Sequence, residues 1–378
     1  MPFSKLGIHP SLLKTIEAQN YKQPYPIQEK AIPSILKGKD LLGIAKTGSG
    51  KTASYVLPIL TLETNNTSEK SRNVSTLIMV PTRELAVQVK EVFQTLGASL
   101  GNPVKTMAVF GGVSINPQMK NLYGVNVLIA TPGRLLELVE NKAVHLNAVK
   151  TLILDEADKL LNLGFKDEME KIFSLLPKKR QNLMFSATLN EEVDYINKLV
   201  LNHPEVVNVI PIEEENTLAL IDQVGYFVTE EKKGPLLRHL IKTEEMEQVL
   251  IFVSSIFKAD SLEYKLRNNN IDATAIHSKK SQGSRTDSLM KFKNKKLRVL
   301  VATDLLARGI DIEFLPYVIN YELPRSPKDF VHRIGRTGRA ENPGKAITFV
   351  TPEDKNHFKV IQKKMKRWVD MIESESLF

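Results

Sequence analysis

The chain has 378 residues, of which 42% are hydrophobic and 25% charged, a balance typical of a globular protein with more than one domain. It contains no cysteine, which excludes disulfides and thiolate-bound metals, and its net charge of +9 favours a phosphate-rich partner without establishing one. No apolar run approaches the ~20 residues of a membrane span and the N-terminus lacks a signal-peptide pattern, so we expect a cytoplasmic protein with no membrane partner.

Short apolar runs alternate with helix-like stretches along the whole chain. Continuous β-branched runs are typical of strands buried on both faces of a parallel sheet, and alternation with helices indicates α/β domains. The predicted strands are Thr76–Val80, Val127–Ala130, Thr151–Leu154, Leu183–Phe185, Val249–Val253, Arg298–Ala302 and Ala346–Val350. Helical spacing is clearest over Arg83–Leu96 and Ser254–Asn268.

A short polar and acidic segment, residues 210–216, follows the strand-like Val206–Val209. An exposed linker of this composition is typical of a domain boundary. The sequence therefore predicts an N-terminal domain over 1–209, a linker over 210–216 and a C-terminal domain over 217–378. The alternative is a surface loop within a single domain.

The strongest local motif is a glycine-rich segment between a strand-like run and a helix-like one. It consists of Ala45, Lys46, Thr47, Gly48, Ser49, Gly50, Lys51 and Thr52. Glycines at two positions let backbone amides turn toward a phosphate, and the helix that follows points its positive end at the same anion. The pattern predicts a P-loop over 45–52 in which Lys51 reaches the β- and γ-phosphates of ATP. Ala45 stands where glycine is usual.

A P-loop needs a carboxylate at the end of a nearby strand to hold Mg²⁺. Asp155 and Glu156 directly follow the predicted strand Thr151–Leu154. We expect Asp155 and the Thr52 hydroxyl to hold the metal, Asp155 through water, and Glu156 to orient and deprotonate the attacking water. The alternative is a solvated acidic loop, the usual fate of a charge cluster.

The segment Asp155–Asp158 reads Asp-Glu-Ala-Asp, and further motifs accompany it in both halves of the chain. They are Pro81–Ala86, Gly111–Gly112, Thr131–Arg134, Ser186–Thr188, Ala302–Asp304, Ala307–Asp311 and His332–Arg339. In number, order and spacing they resemble those of the DEAD-box ATP-dependent RNA helicases, most closely the bacterial RhlE-type branch. The resemblance implies two tandem RecA-like domains joined by a short linker.

Residues 1–29 resemble the family's Q motif, in which a glutamine tests for adenine. That role falls to Gln28, whose amide offers both a donor and an acceptor. Phe3 and Tyr21 match the aromatics near the base, although ordinary packing is an equal alternative for both. Asn20 stands where the family usually has glycine, Ser278 after His277 also replaces a common glycine, and Lys159 replaces a commoner arginine.

The resemblance implies that hydrolysis waits until the two domains close around ATP. Arg336 and Arg339 match the family's arginine fingers, Asp311 the ribose contact, and His332 the residue that links the domains to Ser186 and Thr188. The alternative for the arginines is a basic turn that is solvated or binds phosphate without catalysis.

The RNA contacts implied by the resemblance suit phosphate and sugar oxygens, which position a strand without selecting its sequence. They are Arg83, Gly112, Thr131, Arg134, Arg285 and Thr303. The expected function is RNA-dependent ATP hydrolysis that locally unwinds or remodels short RNA duplexes or RNA–protein complexes. We expect a monomer, with ribosomal or RNA-decay proteins as candidate partners. Two alternatives remain open, an ATP-regulated RNA clamp and a DNA-directed helicase of the same superfamily.

Overall fold

The computed structural model describes residues 2–45, 48–64, 71–189, 191–209, 221–304, 315–338 and 344–374. The chain divides into two compact units, Met1–Pro211 and Ile212–Phe378, which are described separately. The predicted linker 210–216 lies outside the described residues. No helix in the described ranges is both long and apolar enough to cross a bilayer.

In unit 1, Phe3–Lys5 and Gly97–Ser99 form single 3-10 turns. Its helices are α1 (Pro10–Ala18), α2 (Pro26–Leu36), α3 (Lys51–Glu63), α4 (Arg83–Leu96), α5 (Ile115–Asn121), α6 (Pro132–Glu140), α7 (Ala157–Asn162), α8 (Lys166–Leu175) and α9 (Glu191–Val200). Its strands are β1 (Leu41–Ile44), β2 (Thr76–Met79), β3 (Thr106–Val109), β4 (Val127–Ala130), β5 (Thr151–Leu154), β6 (Gln181–Ser186) and β7 (Glu205–Asn208).

Unit 2 repeats the alternation of strand and helix. Its helices are α10 (Lys233–Thr243), α11 (Ile256–Arg267), α12 (Gln282–Lys293), α13 (Pro327–Ile334) and α14 (Lys355–Met365). Its strands are β8 (Ile221–Phe227), β9 (Val249–Val253), β10 (Ala273–Ile276), β11 (Val299–Thr303), β12 (Tyr317–Asn320), β13 (Gly344–Val350) and β14 (Asp370–Glu373).

Within the described residues each unit contains one seven-stranded sheet, and the strand pairs in both are parallel. The order is β3-β4-β2-β5-β6-β1-β7 in unit 1 and β10-β11-β9-β12-β13-β8-β14 in unit 2. The two orders are the same once seven is subtracted from each label of the second. The predicted α/β fold with two parallel sheets is confirmed.

Apolar side chains fill both faces of the unit 1 sheet, because successive residues of a strand point to opposite sides. Leu41 packs into the cluster on one face and Leu42 into the cluster on the other. Burial of each such leucine stabilises the fold by about 1.5–3 kcal/mol. These two layers explain why the strands read as continuous apolar runs. The predicted limits of β4, β5 and β9 are those observed, and β2, β6, β11 and β13 differ by one or two residues at one or both ends.

Candidate active site

The carboxyl ends of β1, β6 and β5 meet at one edge of the unit 1 sheet. β6 lies between the other two strands, with Ile44 paired to Ser186 and Leu154 to Met184. The segments that follow these strands, the predicted P-loop, Asp155–Asp158 and Ser186–Thr188, are therefore neighbours. The backbone amide of Ala45 fastens the P-loop to β6 by donating a 3.1 Å hydrogen bond to the Ser186 carbonyl.

The P-loop turns through two glycines with left-handed backbone, Gly48 at φ 72° and Gly50 at φ 86°. Gly50 caps α3, and a Cβ there would lie 2.4 Å from Nε2 of Gln28 and 2.8 Å from the Tyr25 ring. Position 50 thus requires glycine for its conformation and for its contacts. Ser49 and Thr52 are half-buried beside it, while Lys46 and Thr47 lie outside the described residues.

Lys51 is the first residue of α3 and is only 8% exposed. Its Nζ donates a 2.6 Å hydrogen bond to the carbonyl oxygen of Ala45, so the side chain folds back over the loop that precedes it. Burial lowers the pKa of Lys51, and the carboxylates of Asp155 and Glu156 oppose that shift. The ammonium therefore lies against the loop that the sequence predicts to bind phosphate.

Asp155 is 2% exposed and is held from two sides. Oδ2 accepts a 2.7 Å hydrogen bond from the Tyr55 hydroxyl, and Oδ1 accepts one of 2.9 Å from the backbone amide of Glu156. Burial raises the pKa of Asp155, while Lys51 and the Tyr55 hydrogen bond lower it in part. The carboxylate is thereby fixed in orientation, with one lone pair of each oxygen left for a further ligand.

Glu156 has left-handed backbone, φ 52° and ψ 48°, which is strained for a residue with a side chain. Its Oε1 accepts a 2.6 Å hydrogen bond from Nζ of Lys159, and both side chains are nearly buried. Oε2 is buried and has no hydrogen-bond partner among the described residues. Burial raises the pKa of Glu156 and Lys159 lowers it, the net direction being upward.

The end of the Asp-Glu-Ala-Asp segment is tied to β6. The Thr188 hydroxyl donates a 3.3 Å hydrogen bond to Oδ2 of Asp158. The Ser186 hydroxyl in turn donates a 2.7 Å hydrogen bond to the Thr188 carbonyl. A displacement of Thr188 would therefore move the segment that carries Asp155 and Glu156.

Gln28 connects the predicted Q motif to the P-loop. Its Oε1 accepts a hydrogen bond from the Tyr25 amide at 2.9 Å, and its Nε2 donates one to the Gly50 carbonyl at 3.1 Å. Asn20 has φ 57°, the left-handed conformation that glycine adopts freely and asparagine tolerates, which explains the substitution there. Tyr21 is 44% exposed, whereas Phe3 packs in the core near α1.

Asp155 and Thr52 fit a hydrated Mg²⁺ rather than an ion enclosed by protein. The described residues contain no group of three or more acidic, histidine or cysteine side chains that could hold a metal ion. Mg²⁺ keeps several waters and is commonly held by one or two carboxylates together with substrate phosphates. One fixed carboxylate beside a phosphate loop is such a donor set.

The other half of the same sheet edge carries the residues expected to contact RNA, two of which are arginines. Arg83, Gly112 and Thr131 follow β2, β3 and β4, which are neighbours in the sheet. Gly112 has φ 72°, and a Cβ there would lie 2.0 Å from the Arg83 guanidinium. Burial and the Arg134 charge lower the pKa of Arg83, which reflects two guanidinium groups close together. Arg134 is 6% exposed, and its Nη1 has no partner among the described residues.

In unit 2, Thr303 ends β11 and Arg285 lies on α12, where its Nη2 donates a 2.9 Å hydrogen bond to Gln282. His332 lies on α13, and Arg336 follows that helix after Gly335. Asp311 and Arg339 lie outside the described residues.

Arg333, in the middle of the same motif, has a structural role within unit 2. Its Nε and Nη2 donate to the Asp304 carboxylate at 2.5 and 2.7 Å, and its Nη1 donates to the Glu322 carbonyl at 2.6 Å. Its guanidinium also lies 5.0 Å from the Phe252 ring centre. Arg333 thus joins the segment after β11 to α13 and β9.

Comparison with known proteins agrees with this geometry. The DEAD/DEAH box helicase model matches residues 25–196, and the model of the helicase conserved C-terminal domain matches residues 232–341. The chain is 39% identical to the ATP-dependent RNA helicase CshA of Listeria monocytogenes over 366 residues, covering 97% of this chain and 69% of that one. It is 37% identical to the DEAD-box ATP-dependent RNA helicase RhpA of Helicobacter pylori, covering 98% and 74%.

This chain belongs to the DEAD-box family of ATP-dependent RNA helicases. Among solved structures it resembles Saccharomyces cerevisiae Dbp5 bound to RNA and ADP BeF3, with a TM-score of 0.82, 29% identity, and coverage of 99% of this chain and 96% of that one. It also resembles a DEAD-box protein from Methanococcus jannaschii, with a TM-score of 0.54, 35% identity and coverage of 98% and 99%. The RhlE-type branch stays a prediction.

Three side chains at the site of this DEAD-box helicase were not expected from the sequence to take part. Tyr55 holds Asp155, Lys159 holds Glu156, and the Tyr25 ring lies against the P-loop glycine. Tyr55 lies one helical turn after Lys51 on α3, which begins at the P-loop. A hydroxyl at this position could therefore have been predicted to face the site. Lys159 was identified as a departure from the family pattern, but its partner was not predicted.

Proposed function

We propose that this helicase opens short RNA duplexes locally, using ATP bound at the ends of β1, β5 and β6 and RNA bound at the ends of β2, β3 and β4. The observation that carries the proposal is the division of one sheet edge into two halves. One half holds Lys51 beside the carboxylates of Asp155 and Glu156, and the other holds the guanidinium groups of Arg83 and Arg134. Since all these segments leave the same edge, a shift in either half is transmitted through neighbouring strands.

Lys51 would exchange its hydrogen bond with the Ala45 carbonyl for the β- and γ-phosphates, with the P-loop amides around them. Gln28 would test the adenine edge, with Phe3 and Tyr21 near the base. Thr52 and Asp155 would hold Mg²⁺, which when bound neutralises charge on the phosphates. The Mg²⁺ ligands and the base contacts are part of the proposal.

Glu156 is the proposed general base. Its buried carboxylate has a raised pKa, and a more basic carboxylate accepts a proton from water more readily. The strained backbone at this position supports the assignment, because such strain is concentrated at functional sites. Oε2 is the oxygen that would accept the proton, because Oε1 already accepts from Lys159.

We further propose that the C-terminal half completes the site when RNA binds. Arg336 and Arg339 would stabilise charge on the γ-phosphate, Asp311 would contact the ribose, and His332 would couple this half to Ser186 and Thr188. An arginine supplied in this way raises the rate by about 10³–10⁵-fold. Substitution of Arg336 by alanine should therefore lower RNA-stimulated hydrolysis while ATP affinity changes little.

The RNA strand would be held through its backbone by Arg83, Gly112, Thr131 and Arg134, and by Arg285 and Thr303 of the other half. Contact with the 2′-hydroxyl would give preference for RNA over DNA, and sequence selectivity would be low. We propose that the protein acts in the cytoplasm as a monomer, with ribosomal or RNA-decay proteins as candidate partners.

The decisive experiment measures displacement of one strand from a short RNA duplex with ATP, beside ATP hydrolysis stimulated by RNA and by DNA. We expect displacement that needs ATP, and stimulation by RNA well above that by DNA. Hydrolysis without displacement would favour an ATP-regulated clamp. Equal stimulation by DNA would favour a DNA-directed enzyme.

A further inference from the structure

Lys159 lies one helical turn beyond Glu156 and makes the contact that fixes the orientation of its carboxylate. The Nζ–Oε1 distance is 2.6 Å, and only 11% and 12% of the two side chains are exposed. A salt bridge this buried is screened little by solvent, unlike the exposed pair of Lys198 and Asp194 on α9. Breaking it would leave the carboxylate nearly buried and without its hydrogen-bonded cation.

This contact makes the two carboxylate oxygens of Glu156 unequal. Oε1 is occupied by Lys159, whereas Oε2 is buried and has no hydrogen-bond partner among the described residues. Without such a contact, the carboxylate group of a glutamate can adopt a wide range of χ3 angles, because this terminal torsion has no strong staggered preference. A cation on one oxygen therefore selects one orientation and leaves a defined oxygen for an incoming donor.

Lys159 also contributes to the electrostatics of the site. After burial, its positive charge is the smallest of the causes that lower the pKa of Lys51. The backbone reinforces the placement, since the Lys159 amide donates a 2.8 Å hydrogen bond to the Glu156 carbonyl. The strained turn at Glu156 is thus closed by Lys159 through both main chain and side chain.

We propose that Lys159 is a positioning residue for hydrolysis, holding Oε1 of Glu156 so that Oε2 receives the proton of the attacking water. This inference rests on the proposed role of Glu156. Lys159 itself does not touch the reacting atoms and acts through Glu156. The alternative is that Lys159 only neutralises a buried charge and supports the fold.

A double-mutant cycle separates the two. Lys159→Met removes the ammonium and keeps the aliphatic stem, and we expect RNA-stimulated kcat to fall by about 10- to 100-fold, the range for a displaced catalytic group. The affinity for a fluorescent ATP analogue should change less than about twofold, because the ATP contacts are made elsewhere. Lys159→Arg should retain kcat within about threefold, since it keeps a cationic donor on the same turn.

The same change in the Glu156→Gln background gives the decisive comparison. If Lys159 acts through Glu156, Lys159→Met should lower the residual kcat there by less than about twofold, because the effects of residues that act together are not additive. The unliganded protein supplies an independent measurement. Lys159→Met should lower the midpoint of thermal unfolding by about 5 °C, and Glu156→Gln should reverse much of that loss in the double variant.

Unchanged kcat in Lys159→Met would overturn the proposal, as would an equal loss in both backgrounds. If Lys159→Met does not fold, Lys159→Gln carries the same comparison, and Lys198→Met is the control for loss of a surface lysine. Full turnover by Glu156→Gln alone would instead reject the general-base assignment. Failure of the proposed function is thus distinguishable from failure of this inference.

Discussion

The Tyr55 hydroxyl donates a 2.7 Å hydrogen bond to Oδ2 of Asp155, across 100 positions of sequence. The Tyr55 ring is fully buried and packs 5.3 Å from the Phe185 ring, so the hydroxyl is held in place by the core. The helix that opens at the P-loop is thereby joined directly to the carboxylate proposed to hold the metal. Such outer contacts orient ligands and affect metal affinity by about 10–100-fold when lost.

Tyr55→Phe should therefore raise the Mg²⁺ concentration for half-maximal RNA-stimulated hydrolysis by about tenfold, because Asp155 loses the donor that orients it. The ring contact with Phe185 would remain, so the protein should stay folded. A Mg²⁺ titration of activity at saturating ATP measures the shift. Tyr195→Phe is the matched control, since that hydroxyl bonds to Glu170 on the surface. An unchanged Mg²⁺ requirement in Tyr55→Phe would show that Asp155 is oriented without it.

Lys51→Ala should weaken ATP binding by about 100-fold or more, the cost of removing a desolvated charge that pairs with phosphate. RNA binding without nucleotide should be little affected. Fluorescent nucleotide titration measures the change, and Lys39→Ala, which removes a lysine paired with Glu205 at the surface, is the control. Wild-type nucleotide affinity in Lys51→Ala would contradict the assignment of the P-loop.

Glu156→Gln should bind ATP and RNA together but hydrolyse ATP about 10²–10⁴-fold more slowly, the range for loss of a general base. Because glutamine is nearly the same size, the ground-state complex should persist and accumulate. Single-turnover hydrolysis and the lifetime of the RNA complex with ATP test both statements. A short-lived complex with normal turnover would be the contrary result.

Gly112→Ala should lower RNA affinity by about tenfold, equivalent to ~1.4 kcal/mol. A Cβ there would displace the Arg83 guanidinium, and alanine is also strained at φ 72°. ATP affinity should not change, because Gly112 lies on the RNA half of the sheet edge. Gly111→Ala is the control, since a Cβ at the adjacent glycine would meet nothing within 4 Å. Equal RNA affinity of the two variants would exclude a role for the Arg83–Gly112 contact.

Arg333→Met should destabilise unit 2 by about 1–3 kcal/mol, because the Glu322 carbonyl and the partly exposed Asp304 carboxylate would lose the buried donor that they share. Thermal unfolding measures the loss, and nucleotide affinity should be retained at temperatures where both units are folded. Arg267→Met removes an exposed arginine 3.7 Å from Glu263 and is the control. Wild-type stability of Arg333→Met would mean that Asp304 and its neighbours are held by other contacts.

The parallel sheets and the glycine-rich loop could be predicted from the sequence, because each buried strand and this loop consist of contiguous residues. β4, β5 and α4 begin and end where their apolar periodicity predicts. The contacts of Tyr55 with Asp155 and of Arg83 with Gly112 could not be predicted, because they depend on which strands become neighbours. Lys159 and Glu156 are only three residues apart, so their pairing was easier to predict from the sequence. The left-handed backbone at Glu156, however, could be seen only in the structure.

The identical strand order of the two sheets makes β12 the counterpart of β5 and β8 the counterpart of β1. Glu322 accordingly lies two residues after β12, as Glu156 does after β5, but its carboxylate is already occupied by Ser254 and Lys258. After β8 the chain continues as Val228–Lys232, without a single glycine. Among the described residues, unit 1 combines a glycine-rich turn with the unpartnered carboxylate oxygen of Glu156, whereas the corresponding segments of unit 2 have neither. We therefore expect one nucleotide-binding loop per chain, and an equilibrium titration with a fluorescent nucleotide would measure that stoichiometry.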